Sequence, residues 1–252
     1  MRMSISPQLI YYDFGPRVTA FSTMRQGGCS TGNYAAFNIN RYCGDSPVHI
    51  ADNLHALSAL LGLSEQNIIM PHQTHGIRVC RIDTPPTTTI EDTDAVMTDT
   101  VGLCIGVSTA DCIPVLLYDA DHHAACAVHA GWRGTVQRIV REAVNAMQRE
   151  YQTVPSRLQA VIGPGISLEN FEVGDEVFQQ FAAANFDMAA IARRYEKWHI
   201  DLPVCNRLQL EELGMTDIHL SGICTFQQYE RFFSARRLGV QSGRIYTAIL
   251  LK

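Results

Sequence analysis

The segment that most constrains the fold is residues 109–135, TADCIPVLLYDADHHAACAVHAGWRGT. Two apolar runs, 113–119 and 124–130, flank the short polar stretch ADHH. Runs of this length around a tight polar break predict the two strands of a β-hairpin. Cys112 precedes the first run and His129 lies near the end of the second, so the hairpin brings a thiol and an imidazole to the same end.

The register of this hairpin decides how close the two side chains come. A turn centred between Ala120 and Asp121 makes Cys112 and His129 cross-strand partners on one face, with Cβ atoms about 4.5 to 5.5 Å apart. A turn centred one residue later offsets the pair. We expect the first arrangement.

A thiol beside an imidazole suits two kinds of chemistry. The pair can ligate a metal, most often zinc, or form a Cys–His dyad in which the histidine activates the thiol. Taken alone, a small buried cysteine and a histidine at a strand end are equally compatible with a purely structural role. HQTHG supplies His72 and His75 in a polar break between two further predicted strands. His75 lies at the start of the second strand and is the better positioned third ligand.

Together, His75, Cys112 and His129 would give three protein ligands and leave a fourth coordination position open. This is the pattern of a catalytic zinc site, because structural zinc normally has four protein ligands. His122 and His123 belong to the hairpin turn, and we expect them at the opposite, exposed end of the hairpin.

The segment AGWRGT predicts a sharp passage from strand to helix. Gly131 and Gly134 permit such a turn before a helix that begins near Thr135. A glycine-rich loop that opens a helix is a candidate anion site, and Arg133 could add a bidentate contact to phosphate or carboxylate. Arg25, in a glycine-rich loop, and Arg236 are further candidates for holding phosphate, although each also suits a plain turn or a solvated surface.

Asp111, next to Cys112, is a candidate acid–base residue or hydrogen-bond acceptor for the site. In a regular strand its side chain would face away from that of Cys112.

The rest of the chain predicts a single domain, residues 1–252, of α+β class. Apolar residues make up 46% and charged residues 18%, which is enough for a substantial core and argues against disorder. Helices and strands are mixed without strict βαβ alternation, so a layered sandwich fits better than a doubly wound sheet. The further strand predictions are 17–23, 67–70, 77–82, 103–107, 158–162, 217–223 and 244–251, and the helix predictions are 47–61, 135–151, 173–184 and 202–213.

Several classes of protein are disfavoured. A net charge of −5 argues against nucleic acid as a partner. No apolar run approaches the roughly 20 residues of a membrane span, and the N-terminus lacks the pattern of a signal peptide. We therefore expect a cytoplasmic protein, with no membrane association, whose eight scattered cysteines are reduced thiols.

The chain resembles the YfiH-type family, variously labelled laccase-domain polyphenol oxidases, multi-substrate purine nucleoside phosphorylases and peptidoglycan editing factors. The matching motifs run in family order and include HQTHG, DTDAVMT, STADCIPVLLYD, AVHAGWRGT, IGPGIS and FFSARR. The resemblance implies a layered α/β/β/α sandwich similar to cysteine deamidase toxins, and a zinc site formed by His75, Cys112 and His129. One departure is Phe171, where the family has a tyrosine.

The resemblance also implies phosphorolysis of adenosine, inosine and methylthioadenosine, with some adenosine deamination. We therefore expect a zinc-dependent enzyme, monomeric or homodimeric, that acts on purine nucleosides and phosphate. The alternative is an amidohydrolase that edits peptidoglycan precursors with Cys112 as nucleophile or with a metal-activated water. A copper (Cu2+) polyphenol oxidase is less favoured, since the nine histidines form none of the HxH pairs of multicopper oxidases.

Overall fold

A computed structural model describes residues 5–252. The strands of this part of the chain are β1 (Leu9–Tyr12), β2 (Val18–Thr23), β3 (Ile68–Ile69), β4 (Val79–Arg81), β5 (Ala95–Thr98), β6 (Cys104–Thr109), β7 (Ile113–Asp119), β8 (Ala124–Ala130), β9 (Gln159–Ile162), β10 (Glu172–Val173), β11 (Ala192–Arg194), β12 (Trp198–Ile200), β13 (Asp217–Leu220) and β14 (Ile245–Leu251). Its α-helices are α1 (Pro47–Leu61), α2 (Trp132–Val136), α3 (Ile139–Tyr151), α4 (Asp175–Ala183), α5 (Met188–Ile191), α6 (Leu202–Glu212) and α7 (Ala235–Leu238). None of these helices is long and apolar enough to cross a membrane.

Two large mixed sheets form the centre of the molecule. One has five strands in the order β1-β2-β14-β6-β3, and the other has six in the order β13-β9-β7-β8-β5-β4. A small three-stranded sheet has the order β10-β12-β11, and its strands lie between β9 and β13 along the chain. Most neighbours are antiparallel, while β3–β6, β4–β5 and β9–β13 are parallel.

The two large sheets pack against each other and carry helices on their outer faces. Side chains of β2, β6 and β14 form one apolar cluster with side chains of β5, β7, β8 and β9. The other face of the six-stranded sheet packs against α3 and α6, and the other face of the five-stranded sheet packs against α1. The predicted α+β, layered α/β/β/α sandwich is confirmed.

The β7–β8 hairpin is apolar except at Asp119 and His129, because both of its faces are covered. Val115 and Leu117 lie in the cluster with the helices, while Leu116 and Tyr118 lie in the cluster between the sheets. Successive side chains of a strand point to opposite faces, so a strand in the middle of a four-layer sandwich favours apolar residues on both faces. All seven residues of each strand are buried.

The predicted strands of the hairpin are confirmed, but the predicted register is wrong. Pro114, not Cys112, is the cross-strand partner of His129. Asp119 moves the turn, because its Oδ1 accepts hydrogen bonds from the backbone N–H groups of Asp121 (3.0 Å) and His122 (3.2 Å) and so shifts the centre by one residue. Cys112 therefore lies before the strand and approaches His129 diagonally.

The predicted helix after the hairpin is divided in two. Helix α2 begins at Trp132, and Arg138, with a φ of 66°, separates it from α3. The chain passes from β8 to α2 at Gly131, as predicted, but Gly131 has a φ of −68°, which any residue can adopt, so this passage does not require the conformational freedom of glycine. The predicted helices at 47–61, 173–184 and 202–213 correspond to α1, α4 and α6.

Candidate metal centre

Three connections bring the predicted ligands together. His75 lies between β3 and β4, Cys112 lies between β6 and β7, and His129 is the penultimate residue of β8. One donor atom from each side chain lies within 4.8 Å of the other two. Cys112 Sγ is 3.8 Å from His75 Nε2, and the two imidazole rings have centroids 4.9 Å apart. The predicted His75, Cys112 and His129 cluster is confirmed as an arrangement of side chains.

The cluster is buried on one side and accessible on the other. His129 is 3% exposed, Cys112 is half-buried and His75 is exposed. By strand alternation, His129 points to the side of the hairpin that faces the five-stranded sheet, like Ala125 and Ala127. An exposed third ligand beside two more buried ones leaves an approach for a substrate.

Asp94 holds two of the three side chains in place. It immediately precedes β5 and is fully buried. Its Oδ1 accepts hydrogen bonds from His129 Nδ1 at 2.7 Å and from the backbone N–H of His75 at 2.9 Å. Its Oδ2 accepts from the backbone N–H groups of Thr74 at 3.2 Å and Gly76 at 2.8 Å. His129 is therefore left with Nε2 to face the cluster.

The electrostatics favour the thiolate. Burial raises the pKa of the Cys112 thiol, but the positive charge of His129, with a smaller contribution from His75, outweighs burial and lowers this pKa to about 6. Burial lowers the pKa of His129, while the charge of Cys112 and the hydrogen bond to Asp94 raise it to about 9. Thiolate is the form that binds metals and the form that attacks electrophiles. The cluster thus fits a metal ion that prefers sulfur and nitrogen ligands.

Gly131 leaves the space in which the ligands meet. A Cβ atom at this position would lie 2.7 Å from His75 Cδ2 and 3.2 Å from Cys112 Sγ. Two residues next to this space have backbone conformations that side chains rarely adopt, namely His75 with φ 63° and Asp111 with φ 87°. Such conformations concentrate at functional sites.

The cluster lines a cavity of about 560 Å³. A cavity of this size is typical of small-molecule sites, which span about 300 to 1,000 Å³. Its wall is partly polar and carries two arginines. Besides the three candidate ligands, the lining residues are Asn40, Tyr42, Cys43, His72, Gln73, Ser108, Thr109, Ala110, Asp111, Ile166, Phe171, Ala235, Arg236, Gly239, Val240 and Arg244.

The three predicted phosphate-binding arginines have different surroundings. Arg236 lines the cavity, with both terminal nitrogens 3.2 Å from the Glu172 carbonyl oxygen and its guanidinium over the Phe171 ring. Arg25 is outside the lining and donates to the carbonyl oxygens of Ala35 and Tyr229. Arg133 is also outside the lining, exposed and stacked over its neighbour Trp132 at 4.3 Å.

Asp111 lines the cavity, and each oxygen of its carboxylate is bonded to a neighbouring segment. Oδ1 accepts a hydrogen bond from Thr225 Oγ1, and Oδ2 accepts one from the backbone N–H of Arg236, both at 2.7 Å. Asp111 thereby fixes the start of the helix that carries Arg236. The acid–base role suggested by its position next to Cys112 stays a prediction.

The other predicted histidines lie outside the cluster. His72 lines the cavity, stacks on Tyr42 at 4.4 Å and bonds Glu91 at 2.6 Å through Nδ1. His122 and His123 are at the far end of the hairpin, as predicted, where they contact Asp119 and Tyr118.

Asp94 and Arg244 were not predicted as site residues. A signal for Asp94 was available in the sequence, since this acidic residue directly precedes the mostly apolar run AVMT, which forms β5.

Proteins similar to this chain have been assigned activities on nucleosides. The purine nucleoside phosphorylase of Bacteroides thetaiotaomicron is 41% identical over 247 residues, which cover 93% of this chain and 92% of that relative. Adenosine deaminase RL5, from an unknown prokaryotic organism, is 39% identical over 248 residues and covers 93% and 94%. The purine nucleoside phosphorylase of Deinococcus radiodurans is 38% identical over 234 residues and covers 91% and 87%.

Solved structures share the fold over nearly the whole length of the chain. Hypothetical protein YfiH of Bacillus licheniformis superposes with a TM-score of 0.93 at 27% identity, covering 98% of this chain and 97% of that one. Neisseria meningitidis protein NMB0706, of family-model DUF152, superposes with a TM-score of 0.88 at 31% identity and covers 97% and 99%. A family model described as multi-copper polyphenol oxidoreductase laccase matches residues 19–252. Since the match includes all three candidate ligands and nearly the whole fold, the chain belongs to this laccase-like family.

Proposed function

We propose that this chain is a zinc-dependent purine nucleoside phosphorylase with an accompanying adenosine deaminase activity. The observation that carries the proposal is the His75, Cys112 and His129 cluster, which opens into a cavity large enough for a nucleoside. Relatives that match more than nine-tenths of the chain are named for these two activities.

Zinc suits the cluster better than copper. A tetrahedral zinc ion with ordinary Zn–S and Zn–N bonds sets sulfur and nitrogen about 3.6 Å apart, and Cys112 Sγ is 3.8 Å from His75 Nε2. Three protein ligands leave one position for substrate or water, and when bound, zinc supplies a Lewis acid at this wall of the cavity. A multicopper oxidase needs several metal sites, and residues 5–252 contain a single cluster of this kind.

Phosphorolysis transfers the ribosyl C1′ from the purine nitrogen to a phosphate oxygen, and the purine leaves with a proton. The chain must therefore hold an anion next to a nucleoside. Of the three arginines predicted for phosphate, Arg236 is the one that lines the cavity, so we assign this role to it. Deamination replaces the amino group at C6 with a water oxygen and releases ammonia, so the same cavity would have to place water at C6 of the purine rather than phosphate at C1′.

A cysteine hydrolase is the second candidate, because one observation favours it. Cys112, His129 and Asp94 are arranged as a thiol, an imidazole and a carboxylate that orients the imidazole at 2.7 Å. This is the order of groups in a nucleophilic triad. An amidohydrolase acting on peptidoglycan precursors would use Cys112 to form an acyl-enzyme.

Purified protein incubated with adenosine and phosphate separates the candidates. We expect adenine and ribose 1-phosphate, a smaller yield of inosine and ammonia, loss of both activities on chelation, and recovery with zinc. Zinc-bound protein should also resist alkylation by iodoacetamide at Cys112 and become reactive there after chelation. Cys80→Ala, which removes a thiol outside the cavity lining, is the matched control. Activity that survives removal of zinc and is lost stoichiometrically on alkylation of Cys112 would refute the zinc site and make Cys112 the nucleophile, as the cysteine hydrolase requires.

A further inference from the structure

We infer that Asp94 is the positioning residue of the metal centre, and that one carboxylate sets both the ring nitrogen that His129 offers to the metal and the position of His75. The inference rests on the proposed metal binding by His75, Cys112 and His129. It concerns how the chain prepares the site before any substrate arrives.

The first step is the hydrogen bond to His129. Asp94 Oδ1 lies 2.7 Å from His129 Nδ1, and a carboxylate can only accept, so the imidazole must carry its hydrogen on Nδ1. This leaves Nε2 as the nitrogen that faces Cys112 and His75. Carboxylates that bond the second nitrogen of a metal-binding histidine fix both ring orientation and basicity.

The second step is the loop that carries His75. Three consecutive backbone N–H groups, of Thr74, His75 and Gly76, donate to Asp94 at 3.2, 2.9 and 2.8 Å. His75 itself is exposed and has a φ of 63°, so packing does little to hold it there. The carboxylate is the group that holds residues 74–76 at the start of β5, while backbone hydrogen bonds hold the flanking residues His72 and Arg78 to the 93–95 segment.

The third step concerns what the carboxylate does that an amide cannot. Asp94 accepts four N–H donors, two on each oxygen. An asparagine has one oxygen, which accepts two of them, and its NH2 group would face the other two donors. In one orientation Asp94→Asn loses the two contacts that flank His75, those to Thr74 and Gly76, and keeps the contacts to the His75 N–H and to His129. In the other it frees one loop contact and turns the hydrogen of His129 onto Nε2, away from metal binding.

The test compares Asp94→Asn with Asp119→Asn. Asp119 is a matched control, because it is equally buried, bonds His122 Nδ1 at 2.8 Å and lies at the far end of the same hairpin. Zinc affinity is measured by competition with a chromophoric chelator, and the thermal stability of each metal-free protein is recorded in parallel. We expect Asp94→Asn to weaken zinc binding about 10- to 100-fold, and Asp119→Asn to lower stability while leaving zinc affinity unchanged. Equal zinc affinity in wild type and Asp94→Asn, or an equal loss in both variants, would overturn the inference.

Two further measurements examine the ligands directly, and the first, made on wild-type protein, does not depend on how Asp94→Asn folds. In zinc-loaded wild-type protein, nitrogen-15 spectra should show His129 protonated on Nδ1 and zinc-bound through Nε2, and the reverse assignment overturns the inference. The thiolate-to-cobalt absorption band of cobalt-loaded protein should change in Asp94→Asn and not in Asp119→Asn. Neither measurement includes a nucleoside. Protein that binds zinc in this way without phosphorolysis would refute the proposed function and support the inference, whereas wild type that binds neither ion would refute the metal site.

Discussion

Replacing Gly131 with alanine should weaken metal binding while the fold persists. The backbone of Gly131 has a φ of −68°, which alanine adopts without strain. The added methyl group would lie 2.7 Å from His75 Cδ2 and 3.2 Å from Cys112 Sγ. Carbon atoms in contact normally lie about 3.5 to 4.0 Å apart, so the His75 ring must move by about 1 Å.

The size of the effect depends on how much movement of the His75 ring the fold tolerates and how much metal binding tolerates. His75 is exposed, so its ring can rotate outward without opening the core. A metal–ligand bond tolerates only about 0.2 Å. We therefore expect Gly131→Ala to weaken zinc binding by about 10- to 100-fold, or about 1.4 to 2.7 kcal/mol, as for other changes that misplace a ligand.

A double-mutant cycle with His75→Ala tests this explanation. If the methyl group acts by displacing the His75 ring, adding Gly131→Ala to His75→Ala should cost much less zinc affinity than adding it to the wild type. Affinities are measured by chelator competition, and unfolding midpoints of the metal-free proteins check the fold. Fully additive losses, or a Gly131→Ala protein that binds zinc normally, would refute the reasoning.

Three other outcomes follow from the structure. Burial raises the pKa of Asp119, but its hydrogen bonds lower this pKa below the ordinary value. The carboxylate therefore stabilises the fold above about pH 4 and loses that effect as the pH falls through the lowered pKa. The difference in unfolding midpoint between wild type and Asp119→Asn should shrink with acidification, and a constant difference would contradict this explanation. Arg236→Ala should raise the KM for phosphate far more than the KM for nucleoside, whereas Arg133→Ala should change neither, and the opposite pattern would return the phosphate site to the 131–134 loop. His75→Ala should lose zinc and His72→Ala should retain it, as metal analysis of the purified proteins can establish.

The sequence was sufficient for the strands of the hairpin but not for their register. A strand with one polar face has an alternating pattern that fixes its register, because a slip by one residue would bury the polar face. β7 and β8 are apolar on both faces, so that information is missing. The register depends instead on the side chain of Asp119, which caps the turn. The three side chains still cluster despite the wrong register, because His75, Cys112 and His129 all lie at one end of the hairpin.

The features that sequence reasoning missed depend on contacts distant along the chain. Arg138 divides the predicted helix in a left-handed conformation, and neither glycine nor proline marks the break. Arg25 sits in a glycine-rich loop as expected, but its guanidinium is taken up by the carbonyl oxygens of Ala35 and Tyr229. Nothing local in the sequence distinguishes such a structural arginine from Arg236, which lines the cavity.

The two ends of the β7–β8 hairpin show that the surrounding side chains, and not the residue types alone, determine whether a carboxylate–histidine pair has a structural or a chemical role. At each end a buried carboxylate bonds a histidine Nδ1, through Asp94 and His129 at one end and Asp119 and His122 at the other. At the far end the carboxylate also accepts hydrogen bonds from Thr153 Oγ1 and from the backbone N–H groups of Asp121 and His122, and it thereby stabilises the turn. At the near end, Gly131 leaves room for Cys112 and the exposed His75 beside the open cavity. The same kind of carboxylate–histidine pair therefore belongs to a candidate reactive centre only at the end of the hairpin where a thiolate, a second imidazole and an open cavity lie beside it.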